Sequence, residues 1–325
     1  MTFFICTKKK PYFCVKFITM LKNNRDIKSI VFMLAITALF FTFWFKGAEI
    51  MAFSMWLYVP LYIVLLYLSV TVAVMAHNHN HLNVWKSNIM NIFHDNWLTI
   101  FYGFPVFAWI PTHNTNHHTH VNTEEDYTKT YRYTEKNNLF TSTTYPSVSS
   151  YFQQPVVIKF YKEMYGKSKK KFWLYTLQIV CLVSWVAAAF ILGGWQKALI
   201  YVVIPQQFSL YSVLFFNYIQ HVHADEMSKY NNSRNFTGAI NAFLFNNGLH
   251  TAHHFYPSVH WSEMEEEHKR LAPNIDSSLI ETSYWGYLIR VYIVSIFVPK
   301  YRSKSMRVAR IEREAQMKKN EMKTA

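Results

Sequence analysis

Four long runs of apolar residues limit what this chain can fold into more than any other feature does. A bilayer whose hydrocarbon core is about 30 Å thick requires roughly 20 helical residues to cross it. Three of the runs contain no charged residue, and the fourth contains only Lys197, near its start. The runs cover residues 29–45, 51–76, 172–192 and 195–216. They predict an all-α membrane protein with four transmembrane helices.

Two short turns group these helices into two hairpins. Residues 46–49 separate the first two runs, and Gly193 and Gly194 separate the last two. Seven basic residues precede the first run, whereas the only basic residues in or near the two turns are Lys46 and Lys197. Because basic residues favour the cytoplasmic side, we expect both termini and residues 77–171 to face the cytoplasm. The membrane would be a bacterial inner membrane or that of the endoplasmic reticulum. A cleaved signal peptide is the rival interpretation of the first run, but no clear small-residue cleavage site follows it.

The composition agrees with a membrane protein and argues against other classes. Apolar residues make up 51% of the chain and charged residues only 16%, whereas about a quarter of an ordinary soluble domain is charged. Lys and Arg number 33 against 19 Asp and Glu, which gives a net charge of +14. Such an excess suits nucleic acid or an anionic membrane face. The apolar runs favour the membrane, so we expect no nucleic-acid partner. Three cysteines (Cys6, Cys14 and Cys181) are too few for a disulfide framework or a thiolate metal site.

Twelve of the fifteen histidines fall in four groups, all on the expected cytoplasmic side. The first group follows the second apolar run, the second lies in the middle loop, the third follows the fourth run, and the last precedes a C-terminal apolar stretch. In order, they comprise His77, His79 and His81; His113, His117, His118 and His120; His221 and His223; and His250, His253 and His254. We expect the remaining three, His94, His260 and His268, to be structural.

The spacing within these groups places imidazoles on common helix faces. Residues three or four apart lie on one face of a helix, with Cβ atoms about 5–6 Å apart. Adjacent histidines such as His117 and His118 diverge by about 100°, which suits two metal ions better than one. His79 lies on the opposite face from its neighbours and is not expected to be a ligand. The pairs that share a face are His77 with His81, His113 with His117, and His250 with His253 and with His254.

Nine histidines are candidate ligands, which is too many for one ion with four to six ligands. Two ions are therefore predicted, and imidazole suits iron, zinc, copper and nickel. Asn217 precedes His221 by four residues, so it is a candidate outer ligand through water. For His120 and His223, three roles stay open: binding the metal, supporting a ligand histidine, or transferring protons. The nine are His77, His81, His113, His117, His118, His221, His250, His253 and His254.

The histidine pattern resembles the three histidine boxes of the integral-membrane fatty acid desaturase and hydroxylase superfamily. The boxes are His77 to His81, His113 to His117-His118, and His250 to His253-His254, with His221 similar to a further ligand on the fourth helix. This resemblance implies two non-haem iron ions, O2 as co-substrate, and removal of hydrogen from an unactivated methylene. It also implies an external electron donor of the ferredoxin, rubredoxin or cytochrome b5 type, because the chain has no haem, flavin or iron–sulfur motif.

The leading hypothesis is an O2-dependent fatty acyl desaturase that introduces a double bond into a long-chain acyl substrate. A di-iron hydroxylase of fatty acids or alkanes is an alternative. A decarboxylase that forms terminal alkenes is another, because residues 245–254 are similar to that branch. A membrane metal transporter is the alternative from a different class. Transporters usually need polar ligands near the bilayer midplane, where the runs offer only Pro205, Gln206 and Gln207.

These assignments predict a single membrane domain over residues 1–325. It consists of a basic N-terminal segment (1–28), a transmembrane and catalytic region (29–298) and a charged C-terminal tail (299–325). A cytoplasmic helical cap is expected to carry the histidine boxes. Residues 97–110 and 284–298 are apolar but too short to cross a bilayer comfortably, so interfacial or re-entrant helices are expected there.

Overall fold

The computed structural model of the protein describes residues 19–324 and is largely helical. Cys6, Cys14 and most of the predicted basic N-terminal segment lie outside these residues. Two compact units are present: the first runs up to Ala108 and resumes from Met164 to Leu210, and the second comprises Trp109–Glu163 and the chain from Tyr211 onward.

The α-helices are α1 Ile27–Phe53, α2 Met55–His81, α3 Asn88–Tyr102, α4 His118–His120, α5 Leu139–Lys167, α6 Lys169–Ala198, α7 Ile204–His221, α8 Ile240–Phe243, α9 His250–Phe255, α10 Met264–Leu271, α11 Tyr284–Leu288, α12 Ser295–Phe297 and α13 Met306–Thr324. Among residues 19–324, π-helical segments cover Ile110–His117, Leu199–Val203 and Ile289–Val294. Short 3-10 helices cover Asn24–Asp26, Val106–Ala108, Trp261–Glu263, Ala272–Asn274, Ser277–Leu279 and Pro299–Tyr301. Strands β1 Asn235–Phe236 and β2 Ile280–Glu281 pair in parallel.

Within the described residues, three helical stretches are long and apolar enough to cross a membrane, where the sequence predicted four. They are Asn24–Phe53, Met55–His81 and Lys169–His221. The third has 53 residues, which corresponds to about 80 Å of continuous helix and exceeds twice the thickness of a hydrocarbon core. Gly194 interrupts it with φ 72° and ψ 171°, a conformation that glycine adopts without the strain of a side chain.

The predicted turn at residues 46–49 is wrong. Helix α1 continues through these residues to Phe53, and the chain instead bends at Ser54, whose backbone is extended. Lys46 and Glu49 form an ion pair along the helix, with Nζ 2.9 Å from Oε1. The Tyr201 hydroxyl occupies the space that a side chain at Gly47 would fill, so glycine at this position of the helix permits the close contact. The second predicted turn, at Gly193 and Gly194, coincides with the break in the helix at Gly194.

Aromatic side chains hold the helices of the first unit together. Phe40 of α1 contacts Phe101 of α3 and Trp185 of α6, with ring centroids 5.8 and 5.1 Å apart.

Helix α3 ends at Tyr102, because Gly103 takes up a left-handed conformation with φ 82°. The apolar stretch at residues 97–110 is therefore not one helix, and only its first part lies in α3.

Ion pairs hold the start of the C-terminal helix α13 within the second unit. Arg307 contacts Glu135 and Glu226 at 3.2 and 3.0 Å. Arg310 contacts Asp225 and Glu226 at 2.8 and 2.7 Å. The side chain of Glu226 is only 5% exposed, so the two guanidinium groups neutralise a carboxylate that is almost wholly removed from water. The remainder of α13 is exposed, as expected of the charged tail.

Candidate metal centre

Four histidines of the second unit converge on one point. Each offers a ring nitrogen that lies within 4.8 Å of those of the other three. His117 ends a π-helical segment, His221 is the last residue of α7, and His250 and His254 lie four residues apart on α9. The Nε2 atom of His221 is 3.1 Å from that of His117, 2.9 Å from that of His250 and 3.2 Å from that of His254.

Hydrogen bonds on the far side of two rings determine where their lone pairs point. His221 Nδ1 lies 3.0 Å from the carbonyl oxygen of Asn232, which can only accept, so Nδ1 carries the proton and Nε2 carries the lone pair. His117 Nδ1 likewise lies 2.7 Å from the Asp126 carboxylate. The Nε2 lone pairs of His117 and His221 therefore face each other at 3.1 Å, where they repel, and the lone pair of His221 also faces the ring nitrogens of His250 and His254. A cation between the nitrogens would resolve this conflict.

The nitrogen positions and the protonation state both fit a transition-metal ion. Imidazole nitrogens about 2.0–2.1 Å from one ion are about 2.9–3.4 Å apart in octahedral or tetrahedral arrangements, and the contacts at His221 span 2.9–3.2 Å. Burial and the surrounding imidazoles hold the pKa of His254 well below its usual range. That histidine therefore stays in the neutral form that binds metals.

A second group of ring nitrogens in this unit consists of His113, His118 and His253. The Nε2 atoms of His113 and His118 are 3.1 Å apart, and the ring of His253 lies 4.7 Å from that of His118. The predicted pairing of His113 with His117 is therefore wrong, since His117 belongs to the other group. The segment Ile110–His117 is a π-helix, in which residues five apart, not four, share a turn.

The neighbouring histidines diverge as the sequence predicted. His117 and His118 belong to different groups, and so do His253 and His254. On α9, a regular helix, His250 pairs with His254 across four residues, with Nε2 atoms 3.2 Å apart. His250 and His253, also predicted to share a centre, lie in different groups.

The first unit contributes the histidines at the end of α2. The rings of His77 and His81 lie 4.9 Å apart, as expected for residues on one helix face. His79 points elsewhere: it stacks on His94, and its Nδ1 accepts a hydrogen bond from the backbone of Val84. His94 is fully buried and accepts a hydrogen bond from the Trp85 indole at 3.0 Å, in agreement with its predicted structural role.

The remaining histidines have other surroundings. His223 is in a left-handed conformation, and its two ring nitrogens contact the Glu135 carbonyl and the Ser303 hydroxyl, both at 2.8 Å. It therefore has no ring nitrogen left for a metal. His120, in the short helix α4, belongs to neither group. His260 accepts a hydrogen bond from the backbone of Ser262 at the start of a 3-10 helix, and His268 is buried on α10.

A buried loop supports His117 from behind. Asp126 is 1% exposed, and its Oδ2 atom accepts hydrogen bonds from His117 Nδ1 and from the backbone of Asn122. Its Oδ1 atom accepts from the backbone and the hydroxyl of Thr128, both at 2.7 Å. Burial alone would raise the pKa of Asp126, but His117 and Thr128 hold it below its usual range. The carboxylate thus fixes the ring orientation of His117, a common arrangement behind metal-binding histidines.

Asn217 lies one turn before His221 on α7, as the sequence predicted. Its amide nitrogen donates a hydrogen bond to the hydroxyl of Tyr145 at 3.2 Å. Sequence reasoning did not identify Tyr145, because this residue lies on α5, outside the histidine groups. Only the folded chain shows its hydroxyl beside Asn217.

Converging imidazole groups, in a chain whose described residues include three long apolar helical stretches, define a candidate metal site in a membrane protein. The chain belongs to the fatty acid desaturase family, because the model of that family matches residues 54–286, more than half of the chain. The family predicted from the histidine boxes is thereby confirmed, and with it an enzyme of the oxidoreductase class. Comparisons with curated proteins and with solved structures found no match.

Proposed function

We propose that this protein is an O2-dependent fatty acyl desaturase that introduces a double bond into a long-chain acyl substrate at a centre of two iron ions. The observation that carries the proposal is the single lone pair of His221 Nε2, which faces the ring nitrogens of His117, His250 and His254. Such an arrangement favours a bound cation, and membership of the desaturase family indicates the kind of reaction.

Nine histidines are proposed as ligands of the two ions. His117, His221, His250 and His254 would hold one ion, and His113, His118 and His253 would contribute to the other. The first histidine box supports the proposal that His77 and His81 complete the second set. Asn217 is proposed to act through water. When bound, two iron ions supply the activation of O2 that removal of hydrogen from an unactivated methylene requires.

The proposed ligand residues contribute neutral side chains, fixed ring orientations and protection from bulk water. Neutral imidazoles would leave the positive charge of a bound ion uncompensated, so the ion would retain its attraction for negatively charged ligands. Asp126 and the Asn232 carbonyl fix the orientations of His117 and His221, so that little reorganisation accompanies metal binding. Both of these histidines are almost completely buried, which limits access of bulk water to their nitrogens.

We also propose four membrane spans in two hairpins, with both termini and the histidines on the cytoplasmic side. The break at Gly194 supports this count, because it divides the longest helical stretch into parts of bilayer length. The excess of basic residues at the termini and in the middle loop supports the orientation. An external donor of the ferredoxin, rubredoxin or cytochrome b5 type is proposed to supply electrons.

A metal transporter is less well supported by the contacts of the polar residues in the last span. Gln206 is buried and donates a hydrogen bond to the Ile100 carbonyl at 2.7 Å. Its side chain also fills the space beside Gly103. These contacts give Gln206 a packing role between helices, so it is not available as an ion ligand at the bilayer midplane.

Product analysis tests the proposed reaction. The full-length chain is expressed in a host with a defined lipid profile, with and without O2, alongside the His221→Ala variant. We expect mass spectrometry to show an O2-dependent rise in unsaturated acyl chains of unchanged carbon number, and none with the variant. A terminal alkene one carbon shorter would indicate a decarboxylase, a hydroxylated product would indicate a hydroxylase, and either would overturn the desaturase proposal.

A further inference from the structure

Tyr145 connects Asn217 to the loop that supports His117. It lies on α5 and is 2% exposed. Its hydroxyl donates a hydrogen bond to the Thr128 carbonyl and accepts one from Asn217 Nδ2. Thr128 in turn donates to the Asp126 carboxylate, which holds His117. One buried hydroxyl thus joins two parts of the second unit that flank the four-histidine group.

The direction of these hydrogen bonds fixes the orientation of the Asn217 amide. A tyrosine hydroxyl has one proton, and the Thr128 carbonyl, which can only accept, takes it. The oxygen of Tyr145 therefore presents lone pairs to Asn217. An amide turned the other way would place its own oxygen against those lone pairs, so Nδ2 must face the tyrosine. Burial also raises the pKa of Tyr145, which keeps the phenol protonated.

The fixed amide leaves one group of Asn217 available. Among the described residues, no donor is found for its Oδ1 atom. Asn217 and His221 lie four residues apart and so share a face of α7. The carbonyl oxygen of the amide is therefore the group that this side chain can offer, as an acceptor, to a water molecule beside the histidines.

We propose that Tyr145 is a positioning residue of the metal centre, which holds the Asn217 amide with its oxygen available to a metal-bound water molecule. The proposal rests on the part of the proposed function that places metal ions at the histidine groups. It does not depend on which reaction the ions support. Because Tyr145 acts through Asn217, its hydroxyl should matter only while the asparagine side chain is present.

A double-mutant cycle on the metal affinity tests this dependence. Full-length, metal-free protein in detergent is titrated with Co²⁺ against a chromophoric chelator, and the absorption spectrum of bound cobalt is recorded. The variants are Tyr145→Phe, Asn217→Ala and their combination. Tyr292→Phe is the matched control, because it removes another buried hydroxyl of the same unit, which donates to Asn137 at 2.8 Å.

We expect Tyr145→Phe to weaken the affinity for one Co²⁺ ion about tenfold and to shift its spectrum. In the Asn217→Ala background, the same change should weaken the affinity less than about twofold. Tyr292→Phe should leave both readouts unchanged. An unaltered affinity in Tyr145→Phe, or an equal loss in both backgrounds, would overturn the proposal, since a merely structural tyrosine acts independently of Asn217.

Two further measurements keep the outcome unambiguous. Thermal unfolding of the metal-free variants shows whether Tyr145→Phe folds. If it does not fold, Asn217→Ala alone tests the proposal. An unchanged Co²⁺ affinity and spectrum in Asn217→Ala would then overturn it. The product assay is run on the same preparations. A non-additive cycle in a protein that forms no unsaturated product would refute the proposed reaction and leave the role of Tyr145 intact.

Discussion

His79 lies against His94 with ring centroids 4.4 Å apart, and its Nε2 atom is 3.3 Å from the carboxylate of Asp95. These contacts give His79 a structural role, although it lies between His77 and His81 in the sequence. We therefore expect His79→Ala to retain its metal while losing about 1–3 kcal/mol of stability, because a buried contact is removed. Metal analysis and thermal unfolding measure the two effects, and His81→Ala should show the opposite pattern. Loss of metal from His79→Ala at unchanged stability would contradict this assignment.

The two nitrogen groups predict the number of ions that each variant retains. Purified wild-type protein should hold about two iron ions per chain, one for each group of ligands. His250→Ala removes a nitrogen from the four-histidine group only, so it should retain close to one. His268→Ala provides the control, because His268 is buried but belongs to neither group. Metal analysis that finds a single ion in the wild type would rule out two separate sites.

Asp126 should affect metal affinity without touching the ion. In Asp126→Asn the charge behind His117 is lost, and the amide nitrogen cannot accept hydrogen bonds from Thr128 or His117. We expect the affinity to fall about 10–100-fold, measured by competition with a chelator. Asp276→Asn is the matched control: Asp276 is exposed and accepts hydrogen bonds from the backbone and the hydroxyl of Ser278. Equal affinities of both variants would refute a supporting role for Asp126.

Arg307 and Arg310 should hold the C-terminal helix in place. In the double variant Arg307→Gln/Arg310→Gln, the buried carboxylate of Glu226 loses both partners, which costs about 3–5 kcal/mol if the contact stays closed. The helix should separate instead, and cleavage by a glutamate-specific protease after Glu312 or Glu314 should become about tenfold faster. Mass spectrometry of the released peptide measures the rate. Arg313→Gln, on the exposed part of the helix, should cleave at the wild-type rate.

Much of the candidate site was predictable, because local spacing determines it. The pair His250 and His254 follows from the geometry of a regular helix, and so does the divergence of His253 from His254. The break at Gly194 was also visible, because two consecutive glycines separate two apolar runs of bilayer length. These features depend on residues that are close in the sequence.

What escaped prediction depends on contacts between distant residues or on unusual backbone geometry. The bend at Ser54 was missed because the charged residues and glycine at 46–49 indicated a turn. These residues are helical instead, and Lys46 pairs with Glu49 along the helix. The role of Asp126 was not predicted either. Its hydrogen bond to His117 depends on a loop in which Val121 and Asn122 have positive φ values. No sequence pattern marked Tyr145.

The π-helical segment Ile110–His117 also determines which histidines of the second box face each other. In a regular α-helix, residues four apart lie on one face, so His113 would face His117. The wider turn instead brings His113 to His118, five residues further on. His117 is thereby left to the four-histidine group, so that one short stretch of chain supplies nitrogens to both groups.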